Sequence, residues 1–216
     1  MVERGTVNPQ VGGSNPLPGA KSIYFTENPV SIHAINFCYN LGMDLLLLSG
    51  NSKRGKDWLK QVDMHLAPQF DQTYRHDYAH WEKDEPEIDL NIESQRLSKL
   101  AQNLPPYMIF AKSVGTILTS KNIALGTLRP RACLFIGLPL AMVHSQNLPV
   151  KEWLKKADCP IAILQHKSDP LGSYQEVEQY IEAVNRDNIT VHELPGNTHD
   201  YLEFQIFNNF VRELAR

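Results

Sequence analysis

Apolar runs and amphipathic stretches alternate along most of this chain. Residues 44–50 (DLLLLSG) form an unbroken apolar run, which is typical of a strand buried on both faces of a sheet. The following stretch, residues 56–70, places Trp58, Val62 and Leu66 at helical spacing. The same succession of a short apolar run and an amphipathic stretch continues to the C-terminus. The pattern therefore predicts alternating strands and helices.

The alternation predicts an α/β fold with one mostly parallel, doubly wound sheet. Further strands are predicted at residues 72–81, 107–113, 131–139, 160–166 and 189–196. Helices are predicted at residues 56–70, 89–103, 114–126, 150–157, 174–185 and 201–216. Strands joined by helices of this length form right-handed βαβ units, with helices covering both faces of the sheet. Residues 22–28 and 31–40 predict an antiparallel pair of strands that precedes these units.

The first nineteen residues differ from the rest of the chain. They are rich in Gly, Pro and Asn and have no apolar period. We therefore expect residues 1–19 to form a flexible N-terminal arm and residues 20–216 to form a single domain, as suits a chain of 216 residues.

Composition excludes several classes of protein. The net charge is −3, without the basic excess that a nucleic-acid-binding protein usually carries. Cys38, Cys133 and Cys159 are too few and too widely spaced for a disulfide framework or a zinc ribbon. No apolar run approaches the roughly 20 residues that span a bilayer, and the N-terminus has no signal-peptide pattern. We expect a cytoplasmic protein without a nucleic-acid or membrane partner; its oligomeric state stays open.

The segment around Ser113 is the first candidate for chemistry. In FAKSVGT (110–116) this serine lies between a predicted strand and a predicted helix, with Ala111 and Gly115 two residues away on either side. Small flanking residues allow the tight turn that exposes a nucleophilic serine, and the helix N-terminus favours a developing negative charge. The alternative is a serine that simply caps the helix. The pattern here is Ala-x-Ser-x-Gly, which differs from the Gly-x-Ser-x-Gly motif of nucleophilic serines by the methyl group of Ala111.

Two further residues complete a possible catalytic triad. Asp169 follows the predicted strand at 160–166, and His199 follows the strand at 189–196. A serine hydroxyl needs a histidine to take its proton, and the histidine needs a carboxylate to orient it. The carboxyl ends of parallel strands share one edge of the sheet, so all three side chains are expected there. Taken singly, Asp169 could be a turn residue before Pro170, and His199 a solvated loop histidine.

The order Ser113, Asp169, His199 is that of an α/β-hydrolase. From about Ser22 to Arg216 the chain resembles an α/β-hydrolase-fold serine hydrolase of the small type that includes dienelactone hydrolases and compact carboxylesterases. This resemblance implies an oxyanion hole formed by the N–H of Val114 and that of Asn51 or Ser52. In the stretch 47–58 (LLSGNSKRGKDW), Ser49 stands where such families commonly have histidine.

Several other residues are candidates for binding substrate. Lys112 is next to the candidate nucleophile and could approach a substrate carboxylate. Only about ten residues, 140–149, are left to cover the site between a predicted strand and the next helix. Their apolar members Leu140, Met142 and Val143 could line a shallow acyl pocket.

A metal site is the alternative for the histidines of YRHDYAHW (74–81). His76, Asp77 and His80 include a His-x3-His pair, a spacing that suits zinc on a helix. The segment is predicted as a strand, where residues i and i+4 do not converge, and no third ligand is evident. We therefore predict no metal and no cofactor.

The sequence favours a serine hydrolase that cleaves small carboxylic esters through an acyl-serine intermediate. A small-molecule ester or thioester is thus the expected partner, and a thioesterase or lactonase would use the same triad. A non-catalytic interaction module or a ligand-binding protein with this fold is the alternative class.

Overall fold

Six strands form one parallel sheet in the computed structural model, which describes residues 40–83 and 85–216. Their order across the sheet is β2-β1-β3-β4-β5-β6, so β2 lies at one edge beside β1, and the later strands follow in sequence order from β3 to β6 at the other edge. The strands are β1 (Asp44–Leu48), β2 (Thr73–His76), β3 (Tyr107–Lys112), β4 (Ala132–Ile136), β5 (Ile161–His166) and β6 (Ile189–Leu194).

Helices connect these strands on both faces of the sheet. The described helices are α1 (Gly55–Leu66), α2 (Ala79–Lys83), α3 (Leu90–Ala101), α4 (Val114–Ala124), α5 (Leu140–Ser145), α6 (Val150–Leu154), α7 (Tyr174–Glu182) and α8 (Phe204–Leu214). A short 3₁₀ turn, Ala67–Gln69, follows α1. None of the helices in the described ranges is long and apolar enough to cross a membrane.

Alternate residues of each strand face two separate hydrophobic layers. In β1, Leu45 and Leu47 pack in the layer that includes side chains of α1 and α8. Leu46 and Leu48 point to the opposite face, where side chains of α3, α4, α6 and α7 form the second layer. Every residue of β1 is buried, because both faces of the strand are covered. This burial explains the unbroken apolar run in the sequence.

The predicted α/β alternation is confirmed, with two local differences. The strand expected at 72–81 ends at His76, and the chain then turns into α2, because Tyr78 and Trp81 are buried and their polar atoms bind the loop after β1. The segment 140–149 contains the short helix α5. The six described strands are all parallel; the predicted antiparallel pair at 22–40, apart from Asn40, and the arm at 1–19 lie outside the described residues.

Candidate active site

Ser113 occupies a sharp turn between β3 and α4. Its backbone has φ 53° and ψ −124°, a left-handed conformation that residues other than glycine rarely adopt. The Ser113 N–H donates to the carbonyl of Ile136 at 2.9 Å, which ties the turn to the end of β4. The Ser113 carbonyl accepts from the N–H and the hydroxyl of Thr116, at 2.9 and 2.7 Å. These bonds hold the strained turn at the N-terminus of α4.

Two glycines leave room around this turn. A Cβ on Gly115 would lie 2.8 Å from the Ser49 carbonyl oxygen and 2.9 Å from Leu48 Cβ, so only glycine lets α4 pass this close to β1. A Cβ on Gly50 would lie 3.3 Å from Ser113 Cβ and 3.6 Å from Ser113 Oγ. The space beside the serine hydroxyl therefore depends on the small residue at position 50.

Asp169 and His199 form a hydrogen-bonded pair at the neighbouring strand ends. His199 Nδ1 lies 2.7 Å from Asp169 Oδ2, and the Asp169 side chain is buried. Burial by itself would raise the pKa of Asp169, but hydrogen bonds from His199 and Tyr201 outweigh it and hold that pKa below the usual value. The carboxylate is thus kept ionised, and it orients the imidazole through Nδ1.

The ring of His199 lies against Gly137, the residue that follows β4. A Cβ on Gly137 would stand 3.0 Å from His199 Cε1, and Gly137 has φ +63°. Ser113 binds the carbonyl of Ile136, the residue before Gly137, so the end of β4 brings the serine turn and the imidazole to the same place. His199 Nε2 is buried and has no hydrogen-bond partner among the described residues. This nitrogen is the one available to exchange a proton with a serine or a substrate.

Tyr201 is a site residue that the sequence did not indicate. Its buried hydroxyl donates to Asp169 Oδ2 at 2.6 Å and accepts from the N–H of His166 at 3.0 Å. Its ring stacks on the ring of His166 with centroids 3.9 Å apart. Burial and the bond to Asp169 raise the pKa of Tyr201 far above its usual value, so the hydroxyl stays protonated and donates.

The loop after β5, residues 167–173, carries Asp169 and is also tied to the end of β4 through Gln165. The Gln165 side-chain oxygen accepts from the N–H of Leu138 at 2.9 Å, and its nitrogen donates to the Gly172 carbonyl at 2.5 Å. The N–H of Leu171 donates to Asp169 Oδ1 at 2.8 Å. The bond from Leu171, with those from His199 and Tyr201, fixes Asp169 from three sides, which is what a group that orients a histidine requires.

The loop after β1, which carries the predicted oxyanion donors, is held from several sides. The Ser49 carbonyl accepts from the Tyr78 hydroxyl at 2.7 Å and from the N–H of Gly115 at 3.2 Å. The Asn51 carbonyl accepts from Trp81 Nε1 at 2.7 Å and from His80 Nε2 at 2.8 Å.

The side chain of Asn51 adds two more anchors, to the Pro86 carbonyl and to the N–H of Ile88, each at 3.0 Å. Val114 follows Ser113 as the first residue of α4. The donor roles of Asn51, Ser52 and Val114 stay predictions, but the loop before α1 is held by these hydrogen bonds and passes beside the serine at Gly50.

Lys112 lies beside the loop that carries the histidine. Its ammonium is 5.0 Å from the centroid of the Trp58 ring and 3.9 Å from Asp200 Oδ1, and its side chain is mostly buried. Burial lowers the pKa of Lys112, against the opposing effect of Asp200. Trp58 Nε1 donates to the Tyr201 carbonyl at 2.6 Å. The predicted contact of Lys112 with substrate stays a prediction; its observed neighbours are the residues around His199.

The predicted acyl-pocket residues lie on α5. Leu140 and Val143 are buried in the hydrophobic layer that α4 shares, and Met142 is partly buried against the same layer. Leu140 also lies close to the loop after β5. A Cβ added to Gly172 in that loop would be 3.2 Å from Leu140 Cβ. The structure thus places α5 next to the loop after Asp169, and contact of its side chains with substrate is not yet tested.

The histidines of residues 74–81 have structural partners. His76 Nε2 lies 2.7 Å from Glu93 Oε2, and the buried Glu93 also accepts from the N–H of Ala79 at 2.6 Å. His80 binds the Asn51 carbonyl, and Asp77 lies 3.1 Å from the Lys56 ammonium. Within the ranges that the structure describes, no group of three or more potential ligands is arranged to hold a metal.

Comparison with known proteins agrees with this architecture. Residues 52–207 match the model of the alpha/beta hydrolase domain, which covers most of the chain and all three triad candidates. The chain belongs to the alpha/beta hydrolase family. Membership supports a hydrolase, whereas the resemblance to the dienelactone hydrolase type in particular is not confirmed. A search of curated protein sequences found no match.

Solved structures with this fold include esterases and thioesterases. A cold-adapted esterase from an Arctic intertidal metagenomic library matches with a TM-score of 0.59 and 14% identity, over 81% of this chain and 83% of that one. Acyl-protein thioesterase 2 from Zea mays matches with a TM-score of 0.56 and 11% identity, over 82% and 95%. The RedJ thioesterase from the prodiginine pathway of Streptomyces coelicolor gives 0.55 and 14%, over 91% and 98%. At these identities the likeness concerns the fold.

Proposed function

We propose that this protein is a serine hydrolase that cleaves small carboxylic esters through an acyl-serine intermediate. The observation that carries the proposal is the 2.7 Å contact between His199 Nδ1 and Asp169, with the opposite nitrogen of the ring buried and unpartnered among the described residues. A histidine held in this way has one nitrogen engaged by a carboxylate and the other available as a base. Ser113, in its strained turn at the same strand ends, is the nucleophile in this proposal.

The reaction follows from these positions. His199 Nε2 takes the proton of the Ser113 hydroxyl as the oxygen attacks the ester carbonyl, and it then gives that proton to the leaving alcohol. Water, activated by the same nitrogen, releases the acid from Ser113. Asp169 stays ionised throughout, which its lowered pKa supports.

The developing oxyanion needs donors beside the nucleophile. In this proposal they are the N–H of Val114 and the N–H of Asn51 or Ser52. Support comes from the close approach of Gly50 to Ser113 and from the hydrogen bonds that fix the Asn51 carbonyl and side chain. Fixed backbone donors stabilise a tetrahedral intermediate without reorganising during the reaction.

A small acyl group fits the short connection between β4 and β5. Within the described residues, only α5 and α6 occupy this connection, and both are short. Leu140, Met142 and Val143 are proposed to form one wall of the acyl site. Thioesters and lactones would use the same triad, and the thioesterases among the similar folds favour the thioester as the second candidate.

The test is hydrolysis of short-chain aryl esters by the protein and by Ser113→Ala. We expect the substitution to lower kcat/KM at least about 10³-fold, since only binding and oxyanion stabilisation would remain. Ser120→Ala is the matched control, because Ser120 is buried on α4 and bonds only within that helix, to the Thr116 carbonyl. If Ser113→Ala folds normally and keeps more than a tenth of the activity, the proposed nucleophile is wrong. An acyl-thioester series run in parallel decides between the two substrate classes.

A further inference from the structure

A cavity lies at the edge of the sheet opposite Ser113, where the strands begin. It has a volume of about 610 Å³, and it is lined by residues that precede β4 and β5. Its polar lining includes Arg129, Arg131, Lys156, Asp158 and Cys159. Nothing in the proposed ester hydrolysis uses this end of the molecule.

Two cysteine thiols meet at this cavity. Cys133 Sγ and Cys159 Sγ are 4.0 Å apart, with Cys133 in β4 and Cys159 just before β5. Cys133 is completely buried, whereas Cys159 is 9% exposed and lines the cavity. Cys159 is therefore the thiol residue that faces the cavity, and the fully buried Cys133 lies against it.

The surroundings divide the two thiols into different roles. Hydrogen bonding from Cys133 lowers the pKa of Cys159, whereas burial raises the pKa of Cys133 well above its usual value. The thiolate is the reactive form in thiol–disulfide exchange. Because Cys159 lines the cavity and Cys133 is buried behind it, Cys159 is suited to attack first and Cys133 to resolve the product.

The charges at the cavity favour an anionic reagent. Arg129, Arg131 and Lys156 are three exposed cations on its lining, whereas Asp158 is the acidic residue among the lining residues and lies 3.4 Å from the Arg186 guanidinium. A local excess of positive charge raises the concentration of anions at a site and their rate of association.

We propose that Cys159 and Cys133 form a reactive dithiol that exchanges with small disulfides carrying carboxylate groups. The Cys159 thiolate attacks one sulfur of the disulfide, forming a mixed disulfide and expelling the first small thiolate. The Cys133 thiol, on losing its proton, attacks the Cys159 sulfur and expels the second. The protein gains a Cys133–Cys159 bond, its two thiols are oxidised, and one small disulfide is reduced to two thiols. Closure brings the sulfurs from 4.0 Å to about 2 Å.

The test uses the full chain with Cys38→Ser, which removes the third thiol. Oxidised glutathione supplies the anionic disulfide, and 2-hydroxyethyl disulfide supplies a neutral one. We expect peptide mapping to find the Cys133–Cys159 disulfide after either reagent. In Cys133→Ser the reaction should stop at a mixed disulfide on Cys159. In Cys159→Ser, Cys133 should stay unmodified. The same two experiments are repeated with Cys133→Ala and Cys159→Ala, which do not add a buried hydroxyl group.

Charge is tested by Arg129→Gln combined with Arg131→Gln. We expect the rate with oxidised glutathione to fall about tenfold, while the rate with the neutral disulfide changes little. Lys60→Gln combined with Lys167→Gln removes the same two charges at exposed positions away from the cavity, so this control for total charge should leave both rates unchanged. The proposal is overturned if no Cys133–Cys159 bond forms, or if Cys133 reacts without Cys159. Equal slowing with both reagents would overturn the role of the cations.

Discussion

Gly137→Ala is predicted to displace His199 without changing any residue of the proposed triad. A Cβ at position 137 would lie 2.6 Å from Tyr201 Cε2, closer than real Cβ atoms approach, and 3.0 Å from His199 Cε1, a tight contact. Tyr201 cannot easily give way, because its hydroxyl binds both Asp169 and the N–H of His166. The added methyl group must therefore move the imidazole, the tyrosine or the turn itself.

The expected loss of unfolding free energy in Gly137→Ala has two parts. Gly137 has φ +63°, and an alanine in this left-handed conformation costs roughly 1–2 kcal/mol of unfolding free energy. Overpacking against Tyr201 and His199 adds about 1–3 kcal/mol. Gly42 has the same φ of +63° with no atom within 4 Å of its Cβ position, so Gly42→Ala isolates the backbone part. We expect a loss of about 2–5 kcal/mol for Gly137→Ala and about 1–2 kcal/mol for Gly42→Ala.

Gly137→Ala and Gly42→Ala should differ more in kcat/KM than in unfolding free energy. A catalytic group displaced by about 1 Å can cost roughly 100-fold in rate, so Gly137→Ala should lower kcat/KM for an aryl ester by about this factor. Gly42→Ala should match the unsubstituted protein. Urea unfolding gives the free energies, and steady-state assays on the folded variants give the rates. If Gly137→Ala keeps kcat/KM within about threefold of Gly42→Ala, the imidazole does not act from this position.

Three further perturbations follow from the site. Tyr201→Phe removes one of the hydrogen bonds that lower the pKa of Asp169. The stability from that depressed pKa is present above the unfolded pKa and lost as the pH falls through the folded one. Because the folded pKa of Asp169 then lies closer to its unfolded value, thermal melts of the variant should show a smaller loss of stability in acid, which levels off at a higher pH; an unchanged acid limb would contradict this. Lys112→Met should lower kcat with little change in KM, as the ammonium lies beside Asp200 and Trp58; a KM rise confined to anionic esters would indicate substrate contact instead. Acetyl to butyryl esters should be preferred over octanoyl esters, since methylenes left in water forgo about 0.8 kcal/mol each; a steady rise with chain length would refute the short acyl site.

The sequence could predict the triad candidates because each depends on local order. Ser113, Asp169 and His199 each follow an apolar run, and a parallel sheet brings its carboxyl ends together wherever those runs form strands. Periodicity was sufficient for that argument. The expected alternation held for all six described strands, with β2 shorter than predicted.

Residues that act through packing could not be read from the sequence. Tyr201 joins Asp169, 32 positions away, and Trp58 binds the Tyr201 carbonyl across 143 positions. Neither lies in a pattern that distinguishes it from other buried aromatic residues. Gly137 likewise matters because of what faces it, His199 and Tyr201, which becomes visible only in three dimensions. Lys112 shows the same limit, since its neighbour in sequence is the proposed nucleophile, whereas its neighbours in space are Trp58 and Asp200.

The most direct test of the account is covalent labelling of the proposed nucleophile, Ser113. A fluorophosphonate probe reacts with a serine whose hydroxyl is activated by a histidine and leaves an adduct that peptide mapping locates. We predict one adduct, on Ser113, that is absent in Ser113→Ala and much slower to form in His199→Ala. No adduct on the folded protein, or an adduct on another serine, would contradict the assignment of Ser113 as the nucleophile of this hydrolase.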